Sequence, residues 1–279
     1  MILIADSGST KTDWALTGQS VQIHTQGINP FHQSRETVEG ILCDELLPQL
    51  AQAGMKDSVS SVCFYGSGVR PELESVMGDV LHKVFPKAET VEAHSDMLGA
   101  ARSVCFHNEG IASILGTGAN SCLYDGERIV KNTLALGYIL GDEGSGAVLG
   151  KRFLHDVYSG ILSEEIKFCF ERETGLSMPE LINRVYRQPL ANRFLASLSK
   201  FIHNHLDKPE RSDLVRQNFV DFIHIHIVPY GRKDLPLSFV GSIAWHFRQQ
   251  LAEAADTEGF SLGTILKSPI DGLVRYHQQ

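Results

Sequence analysis

The chain reads as an α/β protein with two related lobes, on three observations. It opens with a short apolar strand that runs into a small-residue acidic turn. The same design returns a little over a hundred residues later. Strands and helices alternate between the two, as in an α/β domain with a mixed sheet. A repeat of this kind is a stronger signal than either turn alone.

In the first copy, Ile2, Leu3 and Ile4 predict a buried strand. Asp6-Ser7-Gly8-Ser9-Thr10 forms a turn with almost no side-chain bulk, and Thr12, Trp14 and Leu16 resume alternation. Backbone N–H groups and hydroxyls at such a tip can approach an anion closely. A carboxylate at the end of the first strand suits a hydrated Mg²⁺, which takes one or two carboxylates plus phosphate oxygens. An ordinary Gly/Ser hairpin explains the segment equally well. Neither GxxxxGK[ST] nor a GxGxxG that opens a helix is present. The second copy, Ile111–Tyr124, places Gly116-Thr117-Gly118 between an apolar run and an alternating strand. Two such hairpins suggest lobes that address one phosphate chain.

The bounds narrow the function classes. With 279 residues the chain can bury a sizeable core, and 43% hydrophobic with 21% charged residues is a globular composition. A formal charge of −8 argues against nucleic acid or an anionic membrane as partner. No apolar run reaches the ~18–20 residues a bilayer demands. A strand that starts at residue 2, without a basic leader, argues against secretion. Cys43, Cys63, Cys105, Cys122 and Cys169 lack CxxC spacing and read as reduced thiols, so a cytoplasmic location is expected.

Along the first half, Val21–His24 is a further strand, and Asn29-Pro30 fixes a turn whose side chain offers donor and acceptor. Ser34–Ala53 has helical spacing, with Ser34 as N-cap and Gly54 as stop. Val59–Tyr65 is a strand into Gly66-Ser67-Gly68, Pro71–Phe85 a helix and Thr90–Ala93 a strand. The helix Met97–Phe106 follows, preceded by Asp96. Asp96 reads two ways, as a capping carboxylate or as a general base at a strand's C-terminal end, where open α/β sheets place ligands. His107–Gly110 is the expected crossing between lobes.

In the second half, Leu136–Ala147 is an acidic loop with four glycines between apolar segments, a place where backbone lies close to a ligand. Helices are expected over 147–158, 161–175, 178–186, 190–206 and 212–228. His203, His205, His224 and His226 fall in i, i+2 pairs that no third ligand completes, so they read as surface or core residues. Leu237–Val240, Gly241-Ser242 and the helix after them form a strand–Gly turn–helix. Trp245–Ala255 and a short segment from Ser268 are helical.

DSGSTKT, SDMLGA, LGTGAN, LGYILGDEGSG and FVGS, in that order and spread over nearly the whole chain, resemble the N-acetylglucosamine kinase branch of the BadF/BadG/BcrA/BcrD ATPase family. That branch belongs to the superfamily of sugar kinases, actin and heat-shock ATPases. The resemblance implies two ribonuclease H-like lobes, residues 1–108 and 109–279, with an interlobe cleft for ATP and a helical insertion at about 150–230. It also implies ATP-dependent phosphorylation of an amino sugar at O6 by in-line transfer. Asp6 would hold Mg²⁺ through water. Ser7, Gly8, Ser9, Thr10 and Lys11 would lie by the phosphates, with Gly116-Thr117-Gly118 as the second phosphate turn and Gly241-Ser242 as the adenosine loop. Asp96 matches the carboxylate that takes the proton from the sugar hydroxyl, and Asn29, Asn120, Gly137 and Asp142 match sugar-contacting positions. The chain departs from the pattern at Ser7 and Ser9, where glycine is usual, and at Leu136, where an aromatic is common. The stretch before the adenosine loop is also shorter.

The partner implied is a small amino sugar, with self-association as a homodimer left open. Two rivals stand beside this reading. A reductase-activating ATPase of the same broad family would need cluster cysteines, for which Cys105 and Cys122 lack a Gly-rich turn. A non-catalytic sugar sensor would carry a DNA-binding segment, and no helix-turn-helix is evident.

Overall fold

The structure, a computed structural model, describes residues 1–8 and 10–279. It divides into two compact units, one of residues 1–108, 126–128 and 268–279, the other of residues 109–125 and 129–267.

The first unit is a five-stranded mixed sheet in the order β3-β2-β1-β4-β5. β1 (Ile2–Ser7), β2 (Lys11–Leu16) and β3 (Gln22–Gln26) form an antiparallel meander, and β4 (Ser61–Gly66) and β5 (Thr90–Ser95) add parallel to β1. The period-2 alternation of strands sorts the side chains. Leu3, Ala5, Trp14 and Phe64 join one core, under α1 (Arg35–Ile41), α2 (Leu47–Gln52) and α3 (Pro71–Val84). Ile4, Ala15, Cys63 and Tyr65 join another on the opposite face, where α4 (Asp96–Cys105) also packs.

The helix expected over Ser34–Ala53 is one run only in outline. A π-turn, Leu42–Leu46, separates α1 from α2, and the Leu47 N–H bonds to the Leu42 carbonyl. Pro48 explains it, since it lacks an N–H and its ring crowds the carbonyl four residues back. Pro229 has the same effect on the helix expected over 212–228, which ends at Phe222 and continues as a π-turn over Ile223–Ile227.

The second unit repeats the topology, with sheet order β10-β9-β6-β7-β8. β6 (Glu109–Leu115), β7 (Ala119–Asp125) and β8 (Ile129–Asn132) are the meander, and β9 (Leu237–Val240) and β10 (Leu262–Leu266) add parallel. Between β8 and β9 run α5 (Gly137–Leu140), α6 (Gly146–Tyr158), α7 (Glu164–Thr174), α8 (Met178–Tyr186), α9 (Ala191–Ser197), α10 (Ser199–Asn204) and α11 (Pro209–Phe222). Phe153, Phe170 and Phe201 centre that helical core, with ring centroids 5.2–5.6 Å apart. α12 (Ser242–His246) and α13 (Arg248–Thr257) lie between β9 and β10. Among the described residues, no helix is long and apolar enough to cross a membrane.

α14 (Ile270–Tyr276) corrects the lobe boundary expected at the end of the chain. The second unit stops at Lys267, because Ile270 and Leu273 bury against Ile4, Ala15, Cys63 and Tyr65 of the first sheet. Leu273 has no solvent exposure. Leu273→Ala therefore lowers unfolding stability by about 2–5 kcal/mol, read from the urea midpoint with an unchanged slope.

Candidate active site

In the first unit the candidate residues collect where β1, β4 and β5 end, the carboxyl side on which open α/β sheets hold ligands. Asp6 is the penultimate residue of β1, on the face of Ile4 and Tyr65. Its register partner across the hairpin is Asp13, a residue the sequence reading passed over. In a tight hairpin a carboxylate seven residues on was available as a signal. Burial, then the negative charges of Asp13 and Asp96, push the Asp6 carboxyl up to about 7, against the pull of Lys11. Asp13 is itself buried and held by Lys11 Nζ at 2.7 Å and His24 Nδ1 at 2.6 Å. Lys11, expected at the phosphates, thus has its ammonium on Asp13.

Asp96 is the first residue of α4, and the cap of that helix is Ser95, whose Oγ accepts from the Leu98 N–H. The capping alternative for Asp96 is thereby removed. Burial raises the affinity of its carboxyl for protons, and the N–H groups of Met97 and of Asp96 itself, which donate to it, oppose that rise. Asn29 follows the buried Ile28, and Gly68 makes room for it. A Cβ on Gly68, whose φ is +80°, would meet Asn29 Oδ1 at 2.1 Å. Gly8 is exposed, with its N–H on the Lys11 carbonyl at 3.0 Å; Thr10 is exposed, and Ser9 lies outside the described residues. Ser7 has its side chain inside the sheet rather than at the turn, bonded to Thr12 and Ile28.

In the second unit, Gly116-Thr117-Gly118 is the turn between β6 and β7. The start of α6 fixes it. The Gly146 N–H donates to the Gly116 carbonyl at 2.8 Å and the Ala147 N–H to the Thr117 carbonyl at 3.2 Å. Ser145 caps α6 by accepting from Val148, so the first amides of that helix serve the protein itself. The N–H groups of Thr117 and Gly118 have no partner among the described residues. Asp142 packs against the turn, since a Cβ on Gly118 would lie 3.0 Å from Asp142 Oδ2. Asp142 sits at φ +60° and is buried, which raises its carboxyl's affinity for protons. The N–H groups of Gly137 and Ala119 and the nearby His226 oppose that rise, while Glu143 adds to it. His226, one of the residues read as surface or core, is buried with Nε2 2.9 Å from Glu143 Oε2. Asn120 has its Oδ1 on the Ser121 N–H and on Asn132 Nδ2, within the β7–β8 pairing. Gly137 is exposed at φ +76° and starts α5. Gly241, at φ +124°, starts α12 where a Cβ would meet the Leu115 carbonyl at 2.3 Å, and Ser242 beside it is exposed.

Two sheets of identical strand order, each with a small-residue hairpin between its first two strands, define a sugar kinase of the actin-like ATPase fold. The structure of a candidate N-acetylglucosamine kinase from Porphyromonas gingivalis matches 99% of this chain and 98% of its own, with a TM-score of 0.95 and 46% sequence identity. The chain belongs to the N-acetylglucosamine kinase-like family of sugar kinases. An N-acetylmuramic acid/N-acetylglucosamine kinase of Clostridium acetobutylicum is 22% identical over 210 residues, 71% of this chain and 68% of that protein. A second candidate N-acetylglucosamine kinase, from Chromobacterium violaceum, shares the fold at a TM-score of 0.73 and 17% identity over 99% of this chain and 98% of its own. No family model matches the chain.

The raised Asp6 carboxyl sets a pH dependence. Its folded value of about 7 exceeds the ordinary 3.8, so the folded protein holds this proton more tightly than the unfolded chain. The contribution of Asp6 to stability falls as pH rises between those values. In metal-free buffer, Asp6→Asn should raise the melting temperature at about pH 8 and leave it nearly unchanged at about pH 4. Equal shifts at both pH values would show that Asp6 carries no such penalty.

Proposed function

We propose that the protein transfers the γ-phosphoryl group of ATP to O6 of an amino sugar, N-acetylglucosamine foremost, with Asp96 as general base. The observation that carries the reading is Asp96 itself. Its helix is capped by Ser95, so the carboxylate is left with two local N–H groups and burial strengthens it as a proton acceptor. In the reaction, Asp96 takes the O6 proton as O6 attacks the γ-phosphorus and the bond to the bridging oxygen of ADP breaks.

Phosphoryl transfer asks mainly for positioning and charge neutralisation. The open N–H groups of Thr117 and Gly118 suit phosphate oxygens, as does the exposed Thr10, and Gly8, whose N–H is taken by the Lys11 carbonyl, adds no bulk at its turn. Lys11 would reach phosphate only by leaving Asp13. Gly241 and the exposed Ser242 suit the adenosine, and Asn29, Asn120, Gly137 and Asp142 the sugar. Two facing carboxylates, Asp6 and Asp13, fit a divalent cation that keeps its waters, because their mutual repulsion is what a cation relieves. Mg²⁺ arriving with the nucleotide supplies neutralisation of the phosphate charge.

A coupled ADP-release assay across N-acetylglucosamine, glucosamine, N-acetylmannosamine and N-acetylmuramic acid tests the reading, and turnover with none of them defeats it. Asp96→Asn should lower kcat by roughly 10²–10⁴, with the sugar KM far less changed. Ser95→Ala should instead cost about 0.5–2 kcal/mol of stability with kcat largely kept. The reverse pattern would return the capping role to Asp96.

A further inference from the structure

Alternation along β1 turns Asp6 to the face of Ile4 and Tyr65 and turns Ser7 to the opposite face, that of Leu3 and Ala5. There the Ser7 hydroxyl has no solvent exposure. Its Oγ accepts from the Ile28 N–H at 3.0 Å, and lies 2.9 Å from the Ile28 carbonyl oxygen and 2.7 Å from Thr12 Oγ1. Thr12 Oγ1 in turn reaches the Gln26 carbonyl at 3.1 Å. One proton on each hydroxyl allows two arrangements. Either Thr12 donates to Ser7 and Ser7 to Ile28, or Ser7 donates to Thr12 and Thr12 to Gln26. In both, the Ile28 N–H stays accepted, and the hydroxyl faces away from the turn.

The residue after this clamp is Asn29. Its N–H donates to Gln33 Oε1 at 2.7 Å, and Gln33 Nε2 donates to the Gly27 carbonyl at 3.1 Å. The Phe31 N–H donates to Asn29 Oδ1 at 3.0 Å, which fixes the direction of the amide. Asn29 Nδ2 has no partner among the described residues. The backbone on both sides is held, and one donor is left over.

Resting on the sugar-kinase reading, we propose that Ser7 is a positioning residue for the sugar rather than a phosphate ligand. By clamping Ile28 it holds Asn29 so that Nδ2 is presented to a sugar hydroxyl. The test is calorimetry with N-acetylglucosamine alone and with a non-hydrolysable ATP analogue alone, on wild type and Ser7→Ala. Steady-state kinetics and hydrogen exchange at the Ile28 amide accompany it. Loss of the clamp should weaken sugar binding and raise the sugar KM on the order of tenfold. Nucleotide affinity and kcat should stay within about twofold, and the Ile28 amide should exchange faster. Gln33→Ala brackets Asn29 from a half-exposed site and should show the same split, which keeps the test open if Ser7→Ala does not fold. Lost nucleotide affinity with sugar affinity intact would make Ser7 a phosphate residue and overturn the proposal. Unchanged affinity for both ligands would overturn it too. A wild-type protein that binds no amino sugar would instead defeat the substrate reading on which the proposal rests.

Discussion

The antiparallel register of β1 and β2 pairs Asp6 with Asp13 and Ser7 with Thr12, and alternation sends the two pairs to opposite faces of the sheet. One face receives charge, the other a pair of hydroxyls inside the apolar core. A slip of either strand by a single residue would turn that strand over and drive its carboxylate into the core of Leu3, Trp14 and Phe64. The register is therefore strongly specified, and it is specified by the same residues that a ligand would use. Like charges directly opposite each other weaken a ladder. Lys11 and His24 on Asp13 offset part of that cost within the protein.

The second unit repeats the strand order without repeating the charge. The pair that corresponds to Asp6 and Asp13, one step back from the turn, is Ile114 and Asn120. Its acidic group comes from elsewhere in the chain. Asp142 reaches the turn because Gly118 has no Cβ, and the backbone at Asp142 adopts a left-handed conformation to bring it there. His226 and Glu143 form a part-buried pair near it. The carboxylate of the first unit is set by strand register, and that of the second by loop geometry. A common topology thus carries two differently built acidic positions.

This difference governs how much was legible in the sequence. The paired hairpins were visible because an apolar run, small turn residues and renewed alternation are local features. β8 and β10 were not, since Ile129–Asn132 is largely exposed and Gly263 interrupts the alternation of Leu262–Leu266. The prolines at 48 and 229 announced a break in the helical pattern but not that the chain would absorb it as a π-turn. Ser95 and Asp96 are both good capping residues, so composition alone could not choose between them. The extended backbone at Ser95, with φ −63° and ψ 150°, makes the choice. The bond between Ser7 and Ile28 spans 21 residues and crosses strands, which no window along the sequence would join.

Asp6 and Asp96 both hold their protons more tightly than free carboxyls, yet for different reasons. Burial leads in both. At Asp6 the next causes are the charges of Asp13 and Asp96, with only Lys11 opposed to them. A cation relieves that situation directly, because it removes the repulsion and favours the ionised form. At Asp96 the opposing groups are two N–H donors at the start of α4, and the repulsion between Asp6 and Asp96 acts on both carboxylates. Burial and those two donors are local to Asp96, whereas Asp6 also faces Asp13 across the hairpin. Carboxyls whose surroundings differ in this way divide roles between them. The cation proposed at Asp6 would relieve two repulsions at once, with Asp13 and with Asp96, while the base proposed at Asp96 keeps its burial.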